Sequence, residues 1–142
     1  MNTKQFVADF IQEIWNQQNL DRLDHFVCPD FIDHSLPPAM RNDADGLKVW
    51  VRATGKAFEH ETHIEDMVCE EDKVVVKLKM NLRHIGEWRG IPASEKELVS
   101  PGFRMFRLAD GKIAEHWALI DGEVIEKTLR EEGHHCEVPV KG

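Results

Sequence analysis

From Lys73 to Arg83 the chain alternates: Val74, Val76, Leu78, Met80 and Leu82 are apolar, and Lys73, Lys77, Lys79, Asn81 and Arg83 are polar, with Val75 the one departure. Successive side chains of a strand point to opposite faces, so this pattern predicts a strand with one face on a core and the other toward water. A helix cannot satisfy it. His84 falls on the apolar phase, which predicts an imidazole directed inward alongside Met80 and Leu82.

The N-terminal half keeps a different period. Phe6, Phe10, Ile11, Ile14 and Trp15 recur at helical spacing between Thr3 and Gln17, with Thr3 as a candidate cap. A short second helix carries Leu20, Leu23, Phe26 and Val27 and stops at Cys28-Pro29. Phe31 to His34 reads as a brief strand, Pro37 to Asp45 as a loop, and Asp43 or Asp45 as the cap of a third helix carrying Leu47, Trp50, Val51, Thr54 and Phe58. Past His60 the period is two. Thr62 to Glu70 and Glu95 to Leu108 read as strands, the second with a bulge or bend at Pro101-Gly102. Asp110-Gly111 is a hairpin turn into a last strand, GKIAEHWALID, closed by Asp121. Counting by two from Ile113 assigns Glu115, Trp117, Leu119 and Asp121 to the interior, and Ala114, His116, Ala118 and Ile120 to a face that meets a second subunit. Glu123 to Arg130 reads as a short polar helix or tail, and the chain from about residue 131 as loosely held.

Helices followed by strands of growing length give an α+β class: a cone-shaped barrel with three N-terminal helices packed against a curved, mostly antiparallel sheet. Such a sheet encloses a cavity and leaves an outer face that a homodimer would cover. The 142 residues make one domain, 1–142. With 26 acidic against 18 basic residues and a formal charge of −8, neither a nucleic-acid backbone nor an anionic membrane is a fitting partner. No apolar run approaches spanning length, which predicts a soluble, cytoplasmic protein. The three cysteines, Cys28, Cys69 and Cys136, have unrelated spacings and read as free thiols.

The order of elements, the loop His84-Ile85-Gly86-Glu87-Trp88-Arg89-Gly90-Ile91-Pro92 and the final run Asp110-Gly111-Lys112-Ile113-Ala114-Glu115-His116-Trp117 up to Asp121 resemble the SnoaL-like polyketide cyclases. These belong to the nuclear transport factor 2-like superfamily. The resemblance implies the cone fold and a cofactor-free ring closure, an intramolecular aldol condensation with Asp121 as acid/base and His84 and His34 at the pocket. Ser94-Glu95 stands where many relatives have Thr-Gly, and Ile85 where a threonine is common; both departures bear on the substrate.

An aldol closure needs a base for the proton next to a carbonyl and a donor for the enolate oxygen. Asp121 fits the first role if Trp117 and Leu119 desolvate it. It also reads as a cap on the following helix. His84 reads as an oxyanion donor or as a core histidine, and His34 as a pocket group or a strand end. An apolar small molecule is the expected ligand, with Trp15, Trp50, Met80, Trp88, Phe103 and Trp117 as candidate lining, although core packing is the simpler role for every tryptophan but Trp88. Neither His60-x-x-His63 nor His134-His135-Cys136 forms a complete metal site. The chain has no tyrosine, so a tyrosine oxyanion donor is excluded. A non-catalytic ligand-binding module, or an isomerase or hydrolase on the same fold, fits the same residues.

Overall fold

A computed structural model describes residues 2–135, with side chains through 131. Helix α1 (Thr3–Phe10) is capped by Asn2, whose side chain accepts from Gln5 N. It runs into a wide π turn, Ile11–Asn16, rather than continuing as one α-helix. The extra residue of a π turn lets Phe10, Ile11, Ile14 and Trp15 all face inward, and all four are buried. Asn16 closes the turn against the sheet, accepting from Thr62 N at 2.8 Å and donating to Thr62 O at 3.2 Å. A 3₁₀ turn (Leu20–Arg22) and α2 (Leu23–Phe26) follow.

Strand β1 (Val27–Asp33) begins directly at the end of α2 and passes through Pro29, earlier than the Phe31 start predicted from sequence. It is an edge strand, where the missing N–H of proline is tolerated. Helix α3 (Ala44–Ala57) is capped by Asp43, whose carboxylate accepts from Gly46 N. Next come β2 (Phe58–Glu70), β3 (Lys73–His84), β4 (Glu97–Ala109), β5 (Lys112–Ile120) and α4 (Gly122–His135). Helix α4 continues to His135, past the residue 131 at which a loose tail was expected; residues 136–142, including Cys136, lie outside the described residues.

The sheet order is β1-β5-β4-β3-β2, with β1 parallel to β5 and every other pair antiparallel. This is the expected α+β class: a curved sheet that does not close, its concave side filled by helices. Strand β3 alternates exposed and buried residues as its sequence dictates, and Val74, Val76 and Leu78 are wholly buried. Fully burying such a side chain contributes roughly 1.5–3 kcal/mol. Phe10, Phe26 and Phe106 meet edge to face in the same core.

Two irregularities differ from the sequence reading. Pro101-Gly102 makes no bulge, since β3 and β4 stay in register through Lys79↔Pro101 and Leu78↔Gly102. The bulge lies instead in β5, where Leu108 pairs with Ile113 and Arg107 with Glu115, leaving Ala114 as the extra residue. One added residue inverts the strand's phase. Beyond it His116, Ala118 and Ile120 face the interior, whereas Glu115, Trp117 and Leu119 face outward, the reverse of the assignment made by counting from Ile113.

Candidate functional site

The inner faces of β1, β4 and β5 converge on a polar cluster. In the parallel pairing Asp33 lies opposite His116. Side chains at paired positions share a face, and the Asp33 carboxylate accepts from His116 Nδ1 at 2.9 Å with both residues almost fully buried. Asp33 also accepts from Ser35 N at 2.9 Å and Ser35 Oγ at 2.5 Å. On β4, Arg104 occupies the inward phase shared with Ser100, Phe106 and Leu108. Its Nη1 donates to His116 Nε2 at 3.3 Å, and its guanidinium lies 4.5 Å from the Trp15 ring centre, a cation–π distance. Asp33, His116 and Arg104 thus form one hydrogen-bonded row.

The charges within that row follow from burial. Desolvation pushes the His116 pKa down from its ordinary 6.5, against the opposing pull of the Asp33 hydrogen bond, so the ring is neutral. Burial would raise Asp33, but hydrogen bonds from His116 and Ser35 outweigh it and hold the carboxyl below its ordinary 3.8. The arrangement is a carboxylate accepting from Nδ1–H, which leaves the Nε2 lone pair toward Arg104. Burial lowers Arg104 to about 10, where it remains a cation at neutral pH.

This row borders a cavity of about 400 Å³ between the sheet, α3, the loop after β3 and α4. Trp15, Trp50, Phe58, Met80, Leu82, Trp88, Ala118, Ile120 and Ile125 supply its apolar wall, and Ser35, Leu36, Pro37, Pro38, Thr54, Arg89 and Gly122 complete it. Phe103 and Trp117 do not line it, because the first lies on the outward phase of β4 and the second on the outward side of the β5 bulge.

Asp121 does not join the cluster. Its carboxylate accepts from Val124 N at 3.1 Å, capping α4, and it borders a surface cleft with Glu123 and Lys127. His84 is fully buried as the β3 phase predicts, but it packs on Phe58 and its Nδ1 meets Ser94 Oγ at 2.9 Å, away from the cavity lining. His34 lies on the outer face, its Nε2 at 2.8 Å from Glu115 and its ring stacked 4.7 Å from Trp117. His60 turns inward and His63 outward on β2, so they share no ligand position. Among the described residues no group of three or more His, Cys, Asp or Glu side chains is placed to hold a metal, and no helix is long and apolar enough to cross a membrane.

Sequence reasoning missed Asp33 and Arg104, and placed His116 on the wrong face. For Arg104 a signal existed: an arginine on the same phase as Phe106 and Leu108 is a charge directed into a core. For His116 none did, because the Ala114 bulge leaves no local mark.

The model of the SnoaL-like polyketide cyclases matches residues 5–129. Nogalonic acid methyl ester cyclase of Streptomyces nogalater is 30% identical over 131 residues, which cover 84% of this chain and 89% of that one. Aklanonic acid methyl ester cyclase DnrD of Streptomyces peucetius is 36% identical over 123 residues, covering 82% and 83%. Among solved structures, TsrD from Streptomyces laurentii superposes with a TM-score of 0.79 at 25% identity, covering 89% of this chain and 93% of that one. IdmH from Streptomyces antibioticus, at 23% identity and a TM-score of 0.80 over 91% and 99% of the two chains, shares the fold. With nearly its whole length matched by the family model and by these relatives, the chain belongs to the SnoaL-like polyketide cyclase family.

Proposed function

We propose that the protein closes a ring on an apolar carbonyl compound by an intramolecular aldol reaction, with His116 as the base. The observation that carries this reading is the buried imidazole, held by Asp33 and adjoining the Arg104 guanidinium at the wall of an apolar cavity. On ligand entry the substrate carbonyl oxygen takes over the Arg104 Nη1–H, which frees Nε2. His116 then removes the proton next to that carbonyl, and Arg104 stabilises the enolate oxygen. The enolate carbon attacks a second carbonyl of the same molecule, and the His116 imidazolium returns the proton to the new alkoxide. Substrate and product have the same mass. Asp33 accepts the hydrogen bond from Nδ1–H throughout, fixing the tautomer and stabilising the transient imidazolium.

The test is incubation with aklanonic acid methyl ester, for which a relative is named, followed by chromatography and mass spectrometry. A product of unchanged mass and altered retention is expected. Asp121→Ala should retain this turnover and lose about 1 kcal/mol of stability, the usual cost of a lost helix cap. Tight binding without conversion of this or related polyketide esters would support a binding module instead.

A homodimer through the outer sheet face belongs to the same proposal. Phe103 and Leu119 are directly paired and 48% and 74% exposed, beside Trp117, Met105 and Val75. An apolar patch of this kind on a sheet face favours a covering partner. Light scattering should give twice the monomer mass, and Leu119→Glu should halve it; a monomeric wild type at micromolar concentration overturns this part.

A further inference from the structure

We infer that the cavity selects a ligand carrying a carboxylate on an apolar ring system, and that Arg104 is the residue that selects it. The inference rests on the proposed ligand site being this cavity and goes beyond the ring closure to the charge of what enters. Arg104 is 4% exposed. Its partners are weak for a buried cation: a neutral imidazole nitrogen at 3.3 Å and the face of Trp15. Its Nε is buried with no hydrogen-bond partner, as is Trp15 Nε1 beside it. Among the described residues it forms no ion pair within 4.0 Å. Asp33 adds attraction at a distance, but it stands behind the imidazole and is occupied by His116 and Ser35.

A buried guanidinium left in this state carries an uncompensated desolvation cost, and a carboxylate is the ligand group that removes it best. A neutral ester carbonyl leaves the charge in place. The formally charged groups in the cavity wall are Asp33, Arg89 and Arg104, two cations to one anion, in a chain whose overall charge is −8. Arg89 is already paired with Glu126 at 3.1 Å, so the unmet charge is that of Arg104. A guanidinium has five N–H donors, so holding a carboxylate is compatible with offering another N–H to an enolate oxygen. The two relatives described above are named for methyl esters, in which that carboxylate is masked; the inference separates this chain from them by substrate charge.

The experiment measures binding of a matched pair, 3-hydroxy-2-naphthoic acid and its methyl ester, by tryptophan fluorescence and calorimetry at neutral pH. The acid should bind wild type roughly tenfold or more tightly than the ester. Arg104→Met, of similar length and apolar, should abolish or reverse that preference, and Arg104→Lys should keep part of it, with circular dichroism confirming that each variant is folded. An ester bound as tightly as the acid, an acid affinity unchanged in Arg104→Met, or no acid binding by wild type at millimolar concentration overturns the inference. Because the readout is binding, an intact acid preference without turnover sinks only the cyclase reading. Turnover of esters with no acid preference sinks only this inference.

Discussion

Replacing His116 with glutamine is expected to lower turnover by about 10²- to 10⁴-fold, the range that a positioned general base contributes. Glutamine is of comparable size and can still donate to Asp33, so the cavity should keep its shape and the ligand its affinity. The loss should therefore fall on kcat, with KM little changed. A mere packing role would move stability and affinity together and leave a measurable rate. Full activity in a folded His116→Gln variant would remove the imidazole from the mechanism.

The largest expected effect on stability comes from Asp33. Truncation to alanine strands His116 Nδ1–H, Ser35 N–H and Ser35 O–H, and leaves Arg104 without its nearest carboxylate. Removing one partner from a buried charged network costs about 3–5 kcal/mol, to be read from denaturant midpoints. Asp33→Asn should cost less and still be inactive. Its amide can donate to Nδ1, which places the proton on Nε2 facing the Arg104 N–H, donor against donor. The same row sets the acid limit of wild type. His116 and Asp33 are held below their ordinary values of 6.5 and 3.8. The unfolded chain therefore binds these protons first as pH falls. Stability should decline once pH drops below the ordinary imidazole value and fall further as Asp33 is protonated, the full contribution being present above both values. A wild-type midpoint that is flat from neutral to acidic pH would contradict the assigned protonation states.

The parts of the fold legible in sequence were those written locally. The alternation of β3, the Asp43 cap and the Asp110-Gly111 turn each follow from a few neighbouring residues, and the turn adopts the positive φ at both positions that the pair favours. The site was less legible because its geometry depends on distant partners. Asp33 acquires its role from parallel pairing with a strand some eighty positions later, which no spacing records. His84 shows the limit of phase arguments: its ring does point inward, but the interior of this domain is divided between a packed core and a cavity, and phase does not say which. For Asp121 the local reading as a helix cap is met, its carboxylate accepting from Val124 N at the start of α4.

The Ala114 bulge gives β5 two reading frames. In the frame next to the hairpin, Ile113 is set into the core; in the frame beyond, His116, Ala118 and Ile120 are presented to the cavity. Because the slip lies between them, the half that anchors the domain and the half that borders the cavity are not in step. The slip thus lets one strand serve two surfaces, the core at its hairpin end and the cavity wall beyond it.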